Sequence, residues 1–170
     1  MDLIWRELAS DFPTAAQLVR ICVRLIATVI IASVVGVQRE RSHKSAGLRT
    51  HLMVALGAAI FVLIPEEAGY TTGDISRVMQ GIATGIGFLG GGVILKVDAQ
   101  QRVRGLTTAA AIWLMAVIGV SCGIGRFGIA IVSVLLSWFI LVALAPIDRI
   151  LDGKLQMHPV IVVTDNSETK

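Results

Sequence analysis

The stretch GIGFLG, Gly85 to Gly90, has the spacing G-x-G-x-x-G of loops that bind the pyrophosphate of a dinucleotide. That chemistry requires a preceding β-strand and an acidic residue about 20 positions further along, which binds the ribose. The stretch lies instead inside an uncharged segment from Val78 to Leu95, and positions 105 to 125 contain no acidic residue. The spacing therefore does not indicate a nucleotide-binding enzyme.

The same glycines suit close packing between membrane helices. Glycines four positions apart remove side chains from one helix face, so that a neighbouring backbone can approach. Each glycine also costs about 1 kcal/mol of helix propensity relative to alanine, so the run 90–92 predicts a kink or break there. The predicted helix-packing residues are Gly81, Gly85, Gly87, Gly90 and Gly91.

Charged and hydroxyl side chains cluster in two other stretches, GVQRERSHKSAGLRTH (36–51) and VRGLTTAAAIW (103–113). The guanidinium groups of four arginines could together bind an anionic headgroup, a phosphate or an acidic partner segment: Arg39, Arg49, Arg102 and Arg104. Alternatively, these charges only fix the topology. The candidate residues are Arg39, Glu40, Arg49, Thr50, His51, Arg104, Gly105, Thr107 and Thr108.

Glu40 is an acid between two arginines of its own stretch, which suggests an ion pair across the two basic stretches. We expect Glu40 to pair with Arg104 or, failing that, with Arg102. Thr107 and Thr108 follow Gly105 and suit a helix start, where hydroxyl groups accept hydrogen bonds from free backbone N–H groups.

No catalytic or metal-binding constellation is evident in the sequence. His43, His51 and His158 are scattered, and neither cysteine stands beside one of them. We interpret Cys22 and Cys122 as small buried hydrophobic residues, although both lie near the predicted outer face, where a disulfide is conceivable. We therefore expect no enzymatic activity, no cofactor, no metal and no nucleic-acid partner.

The elements that must position these residues are membrane helices. Of the 170 residues, 55% are hydrophobic and 16% charged, and the mean hydropathy is +0.78. A bilayer-spanning helix needs roughly 20 mostly apolar residues. The sequence predicts an all-α integral membrane protein with about five transmembrane helices, over residues 18–37, 48–64, 78–95, 106–124 and 127–147.

Arginine and lysine positions predict the orientation. The first connection holds Arg39, Arg41, Lys44 and Arg49, and the third holds Lys96, Arg102 and Arg104. Short basic loops stay in the cytoplasm, so the N-terminus is expected outside and the C-terminus in the cytoplasm. Arg20 and Arg24 begin the first span and are expected to extend to the interface.

Three regions follow along the chain. Residues 1–17 are expected to form an interfacial N-terminal segment, and residues 18–150 the transmembrane domain. Residues 151–170 are expected to form a short cytoplasmic tail, in which PVIVVTD (159–165) is typical of the first strand of a soluble domain. The rest of such a domain is absent either naturally or by truncation.

GVQRERSHKSAGLRTHLMVALGAAIF, GIATGIGFLGGGVI and VRGLTTAAAIWLMAVIG resemble successive motifs of the MgtC/SapB family of bacterial inner-membrane proteins. The resemblance implies a multi-pass regulator without enzymatic activity, which supports growth in low magnesium and survival inside macrophages. It implies contacts with membrane lipids and with an F-type ATP synthase or a P-type magnesium-transporting ATPase. Because glycine-rich helix faces favour association, we also expect the chain to form a homo-oligomer.

The alternative function is a small cation channel or transporter component. Cation carriers usually place ionisable groups near the middle of the membrane, and the central parts of all five predicted spans lack such groups. Backbone carbonyls at a broken glycine-rich helix could still coordinate an ion, so this alternative remains.

The predicted orientation can be tested with single cysteines in a background that lacks Cys22 and Cys122. A cysteine at Ser42 is expected to resist an impermeant thiol reagent in intact spheroplasts, whereas one at Thr72 is expected to react. Labelling of the Ser42 position from outside would invert the topology.

Overall fold

The computed structural model describes residues 4, 12–97 and 102–146. These residues form five helices, and the prediction of an all-α protein is confirmed. A two-stranded antiparallel hairpin, which the sequence analysis did not predict, joins the third helix to the fourth. The elements are α1 (Ala15–Arg41), α2 (Leu48–Glu67), α3 (Thr72–Gly92), β1 (Leu95–Val97), β2 (Arg102–Arg104), α4 (Leu106–Gly123) and α5 (Phe127–Ala143).

Helices α1, α2 and α4 are long and apolar enough to cross a membrane, and α5 is a shorter apolar helix. Most of the predicted interfacial segment 1–17 and all of the predicted tail 151–170 lie outside the described residues. Residues up to Trp138 belong to one compact unit, and the packing described below is that of this unit.

Polar caps set the helix starts earlier than the apolar stretches predicted. Thr14 and Gln17 form a reciprocal capping box at the start of α1, and Thr71 and Asp74 form another at the start of α3. Each box satisfies backbone N–H groups that a helix start leaves free. The predicted starts at residues 18 and 78 were therefore too late, because hydropathy marks the membrane span and not the whole helix.

Helix α4 is the central element of this unit. Within the membrane-length window of each helix, 61% of α4 is buried, against 39% of α2 and 17% of α1. Gly119 lies against the backbone of Ala55 so closely that a methyl group there would overlap the Ala55 carbonyl oxygen. Gly123 meets Ala59 and Val62 in the same way. The close backbone approach is thus made by glycines of α4 and not by those of α3.

These contacts also fix the helix directions. Gly119 lies at Ala55 and Gly123 at Ala59, so α2 and α4 run parallel. If both cross a membrane, α3 must carry the chain back between them. Its 21 residues reach about 30 Å at 1.5 Å per residue, which is the thickness of the hydrocarbon core.

Helix α3 packs through a narrow strip of its surface. Ile86 and Gly90 are its buried residues, and partly buried Val78 and Ile82 complete the strip. These residues join a core between α2, α3 and α4 that includes Ala58, Val62, Ile112, Ala116 and Val120. The helix ends at Gly92, where the predicted span continued to Leu95, because three consecutive glycines stabilise a helix poorly.

Arginines and acids pair at one end of the bundle. Arg24 Nη1 lies 2.6 Å from Glu66 Oε2, and Arg20 Nε lies 3.1 Å from Glu67 Oε1. The expectation that both arginines extend to the interface is thus incomplete, since two acids at the end of α2 hold them. Cys122 is buried as predicted, whereas Cys22 is exposed, and both are free thiols.

The approach of α4 to α2 predicts the effect of one added methyl group. Gly119→Ala is expected to lower the free energy of unfolding by about 1 to 3 kcal/mol, since α4 must move away from the Ala55 carbonyl. Gly57→Ala is the control, because a methyl group there meets nothing within 4 Å. Unfolding in detergent measures both, and equal stability of the two variants would contradict the packing.

Candidate functional site

Four of the nine predicted candidates come together where the end of α1 meets the starts of α2 and α4. We call Arg39, Glu40, Gly47, His51 and Thr108 the polar junction. Arg39 and Glu40 belong to the last turn of α1, His51 to the first turn of α2, and Thr108 to the first turn of α4. The prediction that both basic stretches lie at one end of the protein agrees with this arrangement.

Glu40 caps the start of α2. Its Oε2 accepts a hydrogen bond of 2.9 Å from the backbone N–H of Leu48. The N-cap residue Gly47 offers no side chain, and a methyl group there would overlap the Glu40 carboxylate. A carboxylate at a helix N-terminus is favourable because the free N–H groups there carry partial positive charge. A residue from the preceding helix thus supplies the cap that Gly47 lacks.

The predicted Glu40–Arg104 ion pair is wrong. The ion pairs between described side chains are Arg20–Glu67 and Arg24–Glu66, both at the opposite end of the bundle. Arg104 is exposed at the end of β2, and the side chain of Arg102 lies outside the described part. A sequence shows an acid among bases but does not show that an unfilled helix N-terminus competes for it.

Arg39 is buried, with a relative exposure of 2%. Its Nη2 donates a 2.7 Å hydrogen bond to the hydroxyl of Thr108, and its Nε has no partner among the described residues. Thr108 was predicted to cap α4, but its hydroxyl accepts from Arg39 instead. The N-cap of α4 is Gly105, which has no side chain to bond with.

Gly105 closes the hairpin onto α4. Its φ of 95° lies in the left-handed region, which favours glycine. A methyl group at Gly105 would also overlap the backbone carbonyl of Val93, at the end of α3. The start of α4 therefore touches the end of α3 directly, and a methyl group added at Gly90 of α3 would lie 3.7 Å from the Cβ of Ala109, in ordinary van der Waals contact.

His51 is fully buried beside Arg39. Its Nδ1 bonds to the backbone carbonyl of Gly47 at 2.8 Å, and its Nε2 has no partner in the described part of the chain. Its Cβ packs against Gly36, which lies one helical turn before Arg39. The side chains of His51 and Arg39 are therefore close enough to interact electrostatically. Because the carbonyl oxygen can only accept, Nδ1 is the nitrogen that carries the hydrogen and donates it in the bond. Nε2 of the neutral ring is then a hydrogen-bond acceptor.

The remaining candidates do not join the junction. Arg49, Thr50, Arg104 and Thr107 are exposed. Among the described residues, a methyl group added at Gly90 would contact another helix, whereas one added at the other predicted helix-packing residues meets nothing within 4 Å: Gly81, Gly85, Gly87 and Gly91. Their packing against another chain stays a prediction.

Sequence reasoning missed the burial of Arg39. Thr28, Ala32, Val35 and Arg39 recur every three or four residues, and all are buried on the same face of α1. This helical spacing could have placed the arginine on the inner face. Arg39 was interpreted as part of an exposed basic loop because α1 was predicted to end at residue 37.

The model of the MgtC family matches residues 25–150 of the chain. Protein SrpB of Synechococcus elongatus is 40% identical over 122 residues, which cover 62% of this chain and 65% of that protein. Protein MgtC of Salmonella typhimurium is 41% identical over 114 residues, covering 66% of this chain and 47% of the relative. Protein MgtC of Brucella abortus is 38% identical over 152 residues, covering 88% and 58%.

The chain thus spans about half to two-thirds of the length of these curated relatives. No solved structure matches it.

Because Glu40 caps α2 and does not pair with Arg104, we expect a mutation of Glu40 to weaken only the start of α2. Glu40→Ala is expected to lower the free energy of unfolding by about 1 kcal/mol. Glu40→Gln is expected to cost less, because an amide oxygen can still accept from Leu48. A Glu40–Arg104 double-mutant cycle is expected to be additive within about 0.5 kcal/mol. Unfolding in detergent measures these values, with Arg41→Ala as the control for a nearby exposed charge.

Proposed function

Because the chain belongs to the MgtC family, we propose that it is a regulatory protein of the bacterial inner membrane and not an enzyme. It supports growth in low magnesium and survival inside host cells. It acts by helix contacts with a larger membrane complex, and the candidates are an F-type ATP synthase and a P-type magnesium-transporting ATPase. These partners come from the family resemblance described above.

The observation that carries this proposal is the open surface of α3. At 100° per residue, Gln80, Thr84, Gly87 and Gly91 fall on one face of the helix. This face points away from the strip of α3 that packs on α2 and α4, and all four residues are exposed. A surface of small residues lets another helix approach closely, which drives association in a bilayer.

The polar groups on this face favour a protein neighbour over lipid. The Thr84 hydroxyl donates a 3.0 Å hydrogen bond to the backbone carbonyl of Gln80. The side-chain amide of Gln80 has no partner among the described residues. An amide without hydrogen bonds is unfavourable in hydrocarbon. A partner helix with a polar group opposite Gln80 removes that cost.

The test is isolation of the native complex from cells grown in low magnesium. Wild-type protein is expected to co-purify with subunits of one transport or ATP-synthase complex. Gly87→Leu is expected to remain in the membrane but to lose that complex and the growth phenotype, because the bulky side chain fills the open face. Quantitative mass spectrometry of the purified material measures the loss.

Gly128→Leu is the matched control, since a methyl group at Gly128 of α5 also meets nothing within 4 Å. It is expected to retain the complex. Equal loss in both variants, or an unchanged complex in Gly87→Leu, would contradict the role of α3. Flux of Mg²⁺, K⁺ or H⁺ through purified protein in liposomes would instead support the channel or transporter alternative.

A further inference from the structure

Two arginines of α1 contact α4 at opposite ends. Arg24 lies at the end of α4, where its Nη1 donates to the carbonyl of Gly123 at 2.6 Å. Arg39 lies at the start of α4, where its Nη2 donates to Thr108. The two arginines are separated by the same number of residues as Thr108 and Gly123, which they contact. The surroundings of the two arginines can therefore be compared directly within one molecule.

The positive charge of Arg24 is compensated by its surroundings. Its guanidinium faces the C-terminal carbonyls of α4, which carry partial negative charge. The carboxylate of Glu66 lies 2.6 Å away and neutralises it. The side chain of Arg24 is 13% exposed, so a largely buried arginine in this protein has both a counter-ion and a favourable helix end.

Arg39 has neither of these. It is more deeply buried, and it faces the N-terminus of α4, where the free N–H groups carry partial positive charge. The described carboxylates are all engaged elsewhere: Glu40 with Leu48, Glu66 with Arg24, Glu67 with Arg20, and Asp74 with Thr71. A buried cation without a counter-ion is strongly unfavourable, so the described residues leave this site one negative charge short.

The buried atoms near Arg39 that lack a hydrogen-bond partner indicate which kind of ligand the site can bind. Arg39 Nε is a donor on the same edge of the guanidinium as Nη2, and oxyanions bind that edge through two parallel hydrogen bonds. His51 Nε2 is buried and without a described partner, and it can accept a hydrogen bond from a hydroxyl group. The first turn of α4, to which Thr108 belongs, adds free backbone N–H groups that can also donate to an anion.

We propose that the polar junction binds a phosphate-type oxyanion between Arg39, His51 and the start of α4. The oxyanion accepts from Arg39 Nε and from the first turn of α4, and it shares or replaces the contact of Nη2 with Thr108. A P–OH group of inorganic phosphate donates to His51 Nε2, whereas a phosphodiester headgroup offers only acceptor oxygens at its phosphorus. The same oxyanion chemistry is thus available from free phosphate and from an anionic lipid.

The experiment measures ligand binding by the purified full chain, so it does not depend on the cellular role proposed above. Inorganic phosphate is titrated in detergent at constant ionic strength against chloride, and the shift in unfolding temperature gives the affinity. In a parallel arm, the protein is placed in nanodiscs of phosphatidylcholine with or without phosphatidylglycerol. Phosphate stabilisation identifies a free-anion site, and stabilisation by phosphatidylglycerol alone identifies a headgroup site.

Arg39→Gln is expected to weaken the stabilising ligand by at least about tenfold, which corresponds to the loss of one strong hydrogen-bonded contact. Arg49→Gln removes the same charge from an exposed position at the same end, and it is expected to leave the affinity within about twofold because exposed charges contribute little. Thr108→Val provides a second variant should Arg39→Gln not fold, and it is also expected to bind more weakly.

Arg39→Met provides an independent readout in anion-free buffer. It is expected to be at least as stable as the wild type, because it removes a buried charge that lacks a counter-ion. Arg24→Met is expected to be clearly less stable, since it leaves Glu66 without its partner. The proposal is overturned if neither phosphate nor phosphatidylglycerol stabilises the wild type, or if Arg49→Gln weakens binding as much as Arg39→Gln.

Discussion

The contact between the backbones of α4 and α2 is the constraint on which the rest of the structure depends. Lipid is as apolar as a leucine side chain, so membrane helices associate through close van der Waals packing and polar contacts. Gly119 and Gly123 permit that packing at Ala55 and Ala59, and any larger residue would separate the helices. The contact makes α2 and α4 parallel, so α3 must return along the bundle between them.

This arrangement concentrates polar chemistry at the two ends of α4. The middle of the bundle is filled by alanine, valine and isoleucine, and the arginines of α1 reach α4 only at its first and last turns. A helix presents opposite partial charges at its two ends. Arg24 therefore meets the negative end of α4 together with the Glu66 carboxylate, whereas Arg39 meets the positive end and has no counter-ion among the described residues.

The sequence predicted well what depends on composition and poorly what depends on rotation about a helix axis. Hydropathy located the five helices, of which three are long and apolar enough to cross a membrane, and the order of the connections put both basic stretches at one end. Whether Arg39 faces lipid, water or α4 depends on which face of α1 is buried, and that depends on tertiary contacts. The roles of glycines were likewise hidden, because spacing cannot show whether a small face meets its own chain, as Gly119 does, or remains open, as Gly87 does.

The hairpin connects the open surface of α3 to the polar junction. Gly105 packs against the carbonyl of Val93 at the end of α3, and Gly90 touches Ala109 in the first turn of α4. Thr108, which holds Arg39, belongs to that same turn. Because the contact between Gly105 and Val93 is between backbones, the end of α3 cannot shift without moving the start of α4. If both proposals hold, a partner bound to α3 would act on the geometry around Arg39, and an anion at Arg39 would act on the position of α3.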